Sequence, residues 1–222
     1  MLNLNILEKS KMEKLKSTLP NMLLSLTGVC VIAGAILAGV NEMTKEPIAQ
    51  SKAATLETAI KAVTPEFDNK PSEESYMVAT AEGDSVRIYP AKKGDEWVGA
   101  AVGSFTKKGF GGEIKLIVGF DKEGKIVNYS VLQHAETPGL GAKMQDWFST
   151  DKGNQSIIGR AISADGLKVK KDGGDVDAIT AATISSRAFL DAVNRAYSAY
   201  SGVDATGAAT SKSSEEGGNS NE

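Results

Sequence analysis

"EIKLIVGFDKEGKIVNYSVLQH", residues 113–134, decides the fold. Apolar and polar residues alternate through 113–121, a short glycine-containing turn "DKEGK" follows, and 126–134 resumes a strand-like run. Two such runs around a turn predict a β-hairpin. Residues 76–80, 85–90 and 97–105 read as further strands, so a mainly antiparallel sheet is expected. Residues 142–148, "AKMQDWF", read as a short helix with Trp147 and Phe148 in the core. The stretch 166–180, "GLKVKKDGGDVDAIT", reads as one more short strand and a loop. From Ile184, Ala188, Phe189, Ala192, Val193, Ala196, Tyr197 and Tyr200 keep helical spacing. Strands followed by a C-terminal helix make this an α+β domain.

Residues 20–41, "PNMLLSLTGVCVIAGAILAGVN", carry no charge. At about 1.5 Å per residue such a helix crosses a hydrocarbon core of roughly 30 Å. A cleaved signal peptide is the competing reading, but its apolar core is usually only about 7–15 residues long. Lys9, Lys11, Lys14 and Lys16 precede the span, which predicts a cytoplasmic N-terminus and a body on the other side. Gly28, Gly34, Ala35, Ala38 and Gly39 would let another helix approach closely. Residues 42–63 read as helix with Pro47 as a possible break, and 64–75 as a turn-rich linker. The expected organisation is a cytoplasmic N-terminus (1–19), a transmembrane helix (20–41), a helical stalk and linker (42–75), the α+β domain (76–200) and a disordered tail (201–222).

The formal charge of −3 and a pI near 5.4 argue against nucleic acid. One cysteine, Cys30, and one histidine, His134, leave little material for a disulfide framework, a Cys or His metal site or a serine–histidine triad. Chemistry in this chain therefore calls for a borrowed reagent. Two stretches can hold one. In "HAETPGLGAKM", 134–144, Gly139 and Gly141 permit close backbone approach to a flat ligand, and Glu136 and Thr137 offer polar contacts. An ordinary strand-to-helix connection explains the same residues. In "DAITAATISSR", 177–187, Thr183, Ser185 or Ser186 can cap the helix that follows. Thr180, Thr183, Ser185 and Ser186, with Ala181 and Ala182 keeping space clear, equally suit a phosphate at the helix N-terminus.

Together, "ETPGLG" and "DAITAATIS" resemble the FMN-binding domain of the RnfG (RsxG) subunits of ion-translocating electron-transport complexes and of the related NqrC subunits. The resemblance covers roughly residues 97–200. It implies that Thr183, the last threonine of a D-x-x-[ST]-G-A-T segment, carries FMN through a phosphoester bond. Thr180 and Ser185 would hold phosphate oxygens, and loop 136–141, with Leu140 as an apolar contact, would border the isoalloxazine. Ala181 stands where that segment has glycine; a required positive φ there would be strained by the methyl group. The resemblance further implies a single-pass protein of the bacterial inner membrane with its FMN domain on the periplasmic side. Its partners would be the other membrane subunits, a flavin transferase using FAD, and membrane lipid. Electrons would pass between ferredoxin and NAD, coupled to movement of sodium ions or protons. An electron-relaying subunit is expected rather than an independent enzyme. The weighed alternatives are a membrane-anchored FMN-domain sensor and a pilin-like protein without flavin.

Overall fold

The computed structural model describes residues 18–80 and 82–202. The lysines at 9, 11, 14 and 16 and nearly all of the expected tail lie outside the described residues. The chain divides into two compact units at Lys52 and Ala53.

The first unit contains most of α1, Leu19–Val63. Its N-terminal part is long and apolar enough to cross a membrane and is unburied. The expected break at Pro47 does not occur: the helix continues through it. Proline costs a helix one hydrogen bond and a ring clash. Here the surrounding turns are exposed, so water can take the freed carbonyl.

The second unit starts with the last turns of α1. Five strands follow, β1 (Tyr76–Ala79), β2 (Ser85–Lys93), β3 (Glu96–Thr106), β4 (Ile114–Asp121) and β5 (Ile126–Gln133). They form one antiparallel meander in chain order. In the β4–β5 turn, the Asp121 carboxylate accepts from the N–H groups of Glu123 and Lys125, and Gly124 takes φ +80°. That turn chemistry fixes the register that the sequence patterning asks for. A short helix α2 (Met144–Trp147) and the long helix α3 (Thr183–Ser201) complete the fold.

Alternation along the strands divides the sheet into two faces. Val102, Leu116, Val118 and Phe120 pack under α3, where Phe189 stacks on Phe148 at 4.4 Å and meets Tyr129 edge-on. Burial pushes the Tyr129 phenol well up, and its hydroxyl donates to the Met144 carbonyl. On the other face Tyr89, Ala101 and Ile117 pack against Ala59, Ile60 and Val63 of α1. Gly119 permits this approach: a Cβ there would lie 1.7 Å from the Val63 carbonyl oxygen.

The short strand expected within 166–180 is absent. Only an isolated bridge joins Val169 to Val176, because the chain turns back on itself through Lys170–Asp172 and Gly173 (φ +81°). Lys170 N–H donates to the Val176 carbonyl and Val176 N–H to the Lys168 carbonyl, leaving no length for a ladder.

Gly119→Ala therefore forces the α1 end off the sheet. A loss of about 1–3 kcal/mol is expected, as for overpacking generally, read as a lower thermal midpoint of the full chain in detergent. An unchanged midpoint would mean that this packing carries no stability.

Candidate functional site

The segment leading into α3 is held by its own backbone and by three neighbours. The Trp147 indole N–H donates to the Asp177 carbonyl at 2.8 Å. The Asp177 carboxylate accepts from Asn154 N–H at 2.8 Å and pairs with Lys170 at 2.7 Å. Lys170 and that N–H hold its carboxyl below the usual carboxylate range, so this tether loosens only as pH falls through that depressed value. Ile179 is buried in the core. Ala182 N–H closes a turn onto the Ile179 carbonyl at 3.0 Å, across Thr180 and Ala181. A turn of this kind with φ > 0 at its third residue is built for glycine. Ala181 occupies that place at φ +61°, the one positive-φ non-glycine among the described residues. The strain anticipated from its side chain is present.

None of the expected hydroxyl caps forms. The residue at the cap position is Ala182, and among the described residues no side chain caps α3. Thr183 is already the first helical residue, so Ser185 and Ser186 lie beyond the cap and face inward. Their hydroxyls serve other partners. Ser186 Oγ donates to the Ala182 carbonyl and accepts from Ile179 N–H. Ser185 Oγ donates to Glu136 Oε2 at 2.5 Å. A helix leaves its first N–H groups without intrahelical partners, and here no side chain among the described residues caps them.

Glu136 is only 4% exposed. Besides Ser185 it accepts the Gly111 N–H on Oε1 at 2.9 Å. The glycines around it pack flush. A Cβ on Gly141 would lie 2.5 Å from Ser185 Oγ, and one on Gly109 would lie 2.6 Å from Glu136 Oε1. One buried carboxylate thus clamps three segments: the loop after β3, the loop after β5 and the first turn of α3.

Between those segments lies a cleft of about 350 Å³ lined by Phe110, Thr137, Leu140, Gly141, Ala181, Ala182, Thr183, Ile184 and Ser185. Its size falls within the range of small-ligand sites, and its walls are mostly apolar, with a few polar groups. An uncapped helix start at one end suits a phosphate and the apolar walls suit a flat ring, so the residues fit FMN. Of the residues expected from the sequence, Thr137, Leu140, Gly141, Ala181, Ala182, Thr183 and Ser185 line this cleft together. Glu136 sits behind its wall as a clamp rather than as an open contact, and neither Thr180 nor Gly139 lines it. Phe110 escaped the sequence reading. The signal for it was an aromatic set between glycines in "KKGFGGE", 107–113.

Residues 109–198 match the family described as FMN-binding domain. The chain is 36% identical over 190 residues to the G subunit of the ion-translocating oxidoreductase complex of Shewanella amazonensis, covering 81% of this chain and 86% of that protein. The corresponding G subunit of Escherichia coli K12 is 36% identical over 173 residues, 72% of this chain and 81% of its own length. That of Stutzerimonas stutzeri is 33% identical over 180 residues, 78% of this chain and 77% of its own.

Two substitutions test the framework. Ala181→Gly relieves the left-handed backbone and should stabilise the domain by about 0.5–1 kcal/mol, net of glycine's extra chain entropy, in denaturant titrations. Glu136→Ala strands the Ser185 hydroxyl and the Gly111 N–H and should cost about 2–4 kcal/mol. Glu136→Gln should cost under about 1 kcal/mol, because the amide can accept from Gly111 and donate to Ser185 Oγ. Equal losses for both would rule out the clamp.

Proposed function

The chain belongs to the G-subunit family of ion-translocating oxidoreductase complexes, and from that premise we propose that it is a membrane-anchored electron relay whose FMN is a phosphoester on Thr183. One observation carries the assignment of the anchor. Of the four hydroxyl residues at this helix start, Thr183 alone both lines the cleft and, among the described residues, forms no hydrogen bond through its hydroxyl. Ser185 and Ser186 are engaged elsewhere, and Thr180 is exposed outside the cleft.

On this reading each part of the site has one task. The uncapped first turn of α3 presents N–H groups and the positive end of the helix dipole to the phosphate. Thr137 offers a second hydroxyl from the opposite loop, and Leu140 and Ile184 form apolar walls that exclude water from the ring. Glu136 holds the two sides at a fixed separation. Bound FMN supplies the redox chemistry, and the protein supplies attachment, orientation and electrostatics. Loading is proposed to need a separate flavin transferase. The Thr183 Oγ–phosphorus bond forms, the pyrophosphate bond of FAD breaks, AMP leaves, and the threonine proton passes to a base outside this chain.

The apolar N-terminal helix is proposed to cross the inner membrane once, with the basic N-terminus in the cytoplasm and the flavin domain on the periplasmic side. There the protein would pass electrons among the other membrane subunits of its complex, between ferredoxin and NAD, in step with sodium or proton movement.

In-gel flavin fluorescence after denaturation tests the attachment. Protein co-expressed with a flavin transferase should give a fluorescent band, Thr180→Ala should keep it, and Thr183→Val should lose it while thermal unfolding stays cooperative. A band that survives in Thr183→Val would refute Thr183 as the anchor.

A further inference from the structure

Phe110 is 69% exposed, whereas Phe120, Phe148 and Phe189 are fully buried in the same domain. A large aromatic held in water gains nothing from the core. Yet its backbone is not loose. Ahead of it, Thr106 Oγ1 and Lys108 Nζ both engage the buried Asp191 carboxylate of α3, at 2.8 and 3.0 Å. Behind it, Gly111 N–H is fixed to Glu136 and Gly112 N–H to the Gly109 carbonyl. Glycine is required on both sides of the ring. A Cβ on Gly111 would lie 2.0 Å from the Ala135 carbonyl oxygen, and one on Gly109 would lie 2.3 Å from that of Gly112. The loop lies flat against the segment that follows β5, and Phe110 lines the cleft that Thr183 also lines.

Resting on the FMN reading above, we infer that Phe110 is the aromatic cover of the flavin: its ring lies over the isoalloxazine of FMN attached at Thr183 and shields that face from solvent. The exposed ring has a reason once a flat aromatic ligand lies beside it, because offset-stacked rings attract beyond simple area burial. Glu136 joins the Phe110 loop to the turn that carries Thr183, so ring cover and covalent anchor share one frame. Phe110 is thus a positioning and shielding residue. It takes no proton or electron itself.

The test uses full-length protein co-expressed with a flavin transferase, purified in detergent, with attached FMN verified by intact mass. Phe110→Trp places an indole against the ring, and an indole in contact quenches flavin emission by electron transfer. A several-fold fall in emission relative to wild type is expected. Phe110→Ala should leave the attached mass unchanged but raise quenching by iodide several-fold. Exposure of the side chain makes loss of folding in either variant unexpected, and circular dichroism checks it. Unchanged emission in Phe110→Trp together with unchanged iodide quenching in Phe110→Ala, in proteins that carry FMN, would overturn the shielding role alone. Absence of added FMN mass from wild type would overturn the flavin reading and this inference with it.

Discussion

The buried carboxylate of Glu136 is the constraint on which the site depends. It comes from the loop after β5, and its two oxygens reach to opposite sides of the cleft, to Gly111 and to Ser185. A buried carboxylate without partners would be very costly, so the fold has to bring donors to it. The donors it recruits belong to the two elements that must sit opposite each other around a ligand. Gly109, Gly111 and Gly141 remove the Cβ atoms that would keep those backbones apart. The cleft lies between the segments whose donors satisfy this one carboxyl group.

The proposed attachment would use the hydroxyl that the fold leaves unused. Ser185 and Ser186 are consumed by the wall and the turn, while Thr183 begins the helix with its side chain in the cleft. Ala181 shows that this geometry is costly to reach. A left-handed alanine is unfavourable by about 1–2 kcal/mol, and the anchors around it, the Trp147 indole and the buried Ile179, hold it in place. Backbone strain at Ala181, two residues before the proposed attachment residue, fits the general pattern of functional sites.

The sheet was legible because its signals are local. Alternation and a glycine-containing turn specify the β4–β5 hairpin, and the spacing of Ala188, Phe189, Ala192 and Val193 specifies α3. What escaped was set by tertiary contact. Helix α1 runs through Pro47, which a local rule marks as a break. Residues 166–176 carry strand-like valines, yet the one bridge they form among the described residues joins Val169 to Val176. The serines at the start of α3 look like caps, but a cap must precede the first turn, and there the chain has Ala182. Glu136 looks like a ligand contact and is instead buried behind the wall. Phe110 left only the faint mark of an aromatic between glycines, whose meaning depends on the Ala135 carbonyl packed against Gly111.

The proposal centres on one covalent bond, between Thr183 and the phosphate of FMN. Tandem mass spectrometry of the peptide spanning residues 172–187, from protein matured with a flavin transferase, locates it directly. An added FMN phosphoryl mass on Thr183 is expected. An unmodified peptide, or the same mass on Thr180, would contradict it.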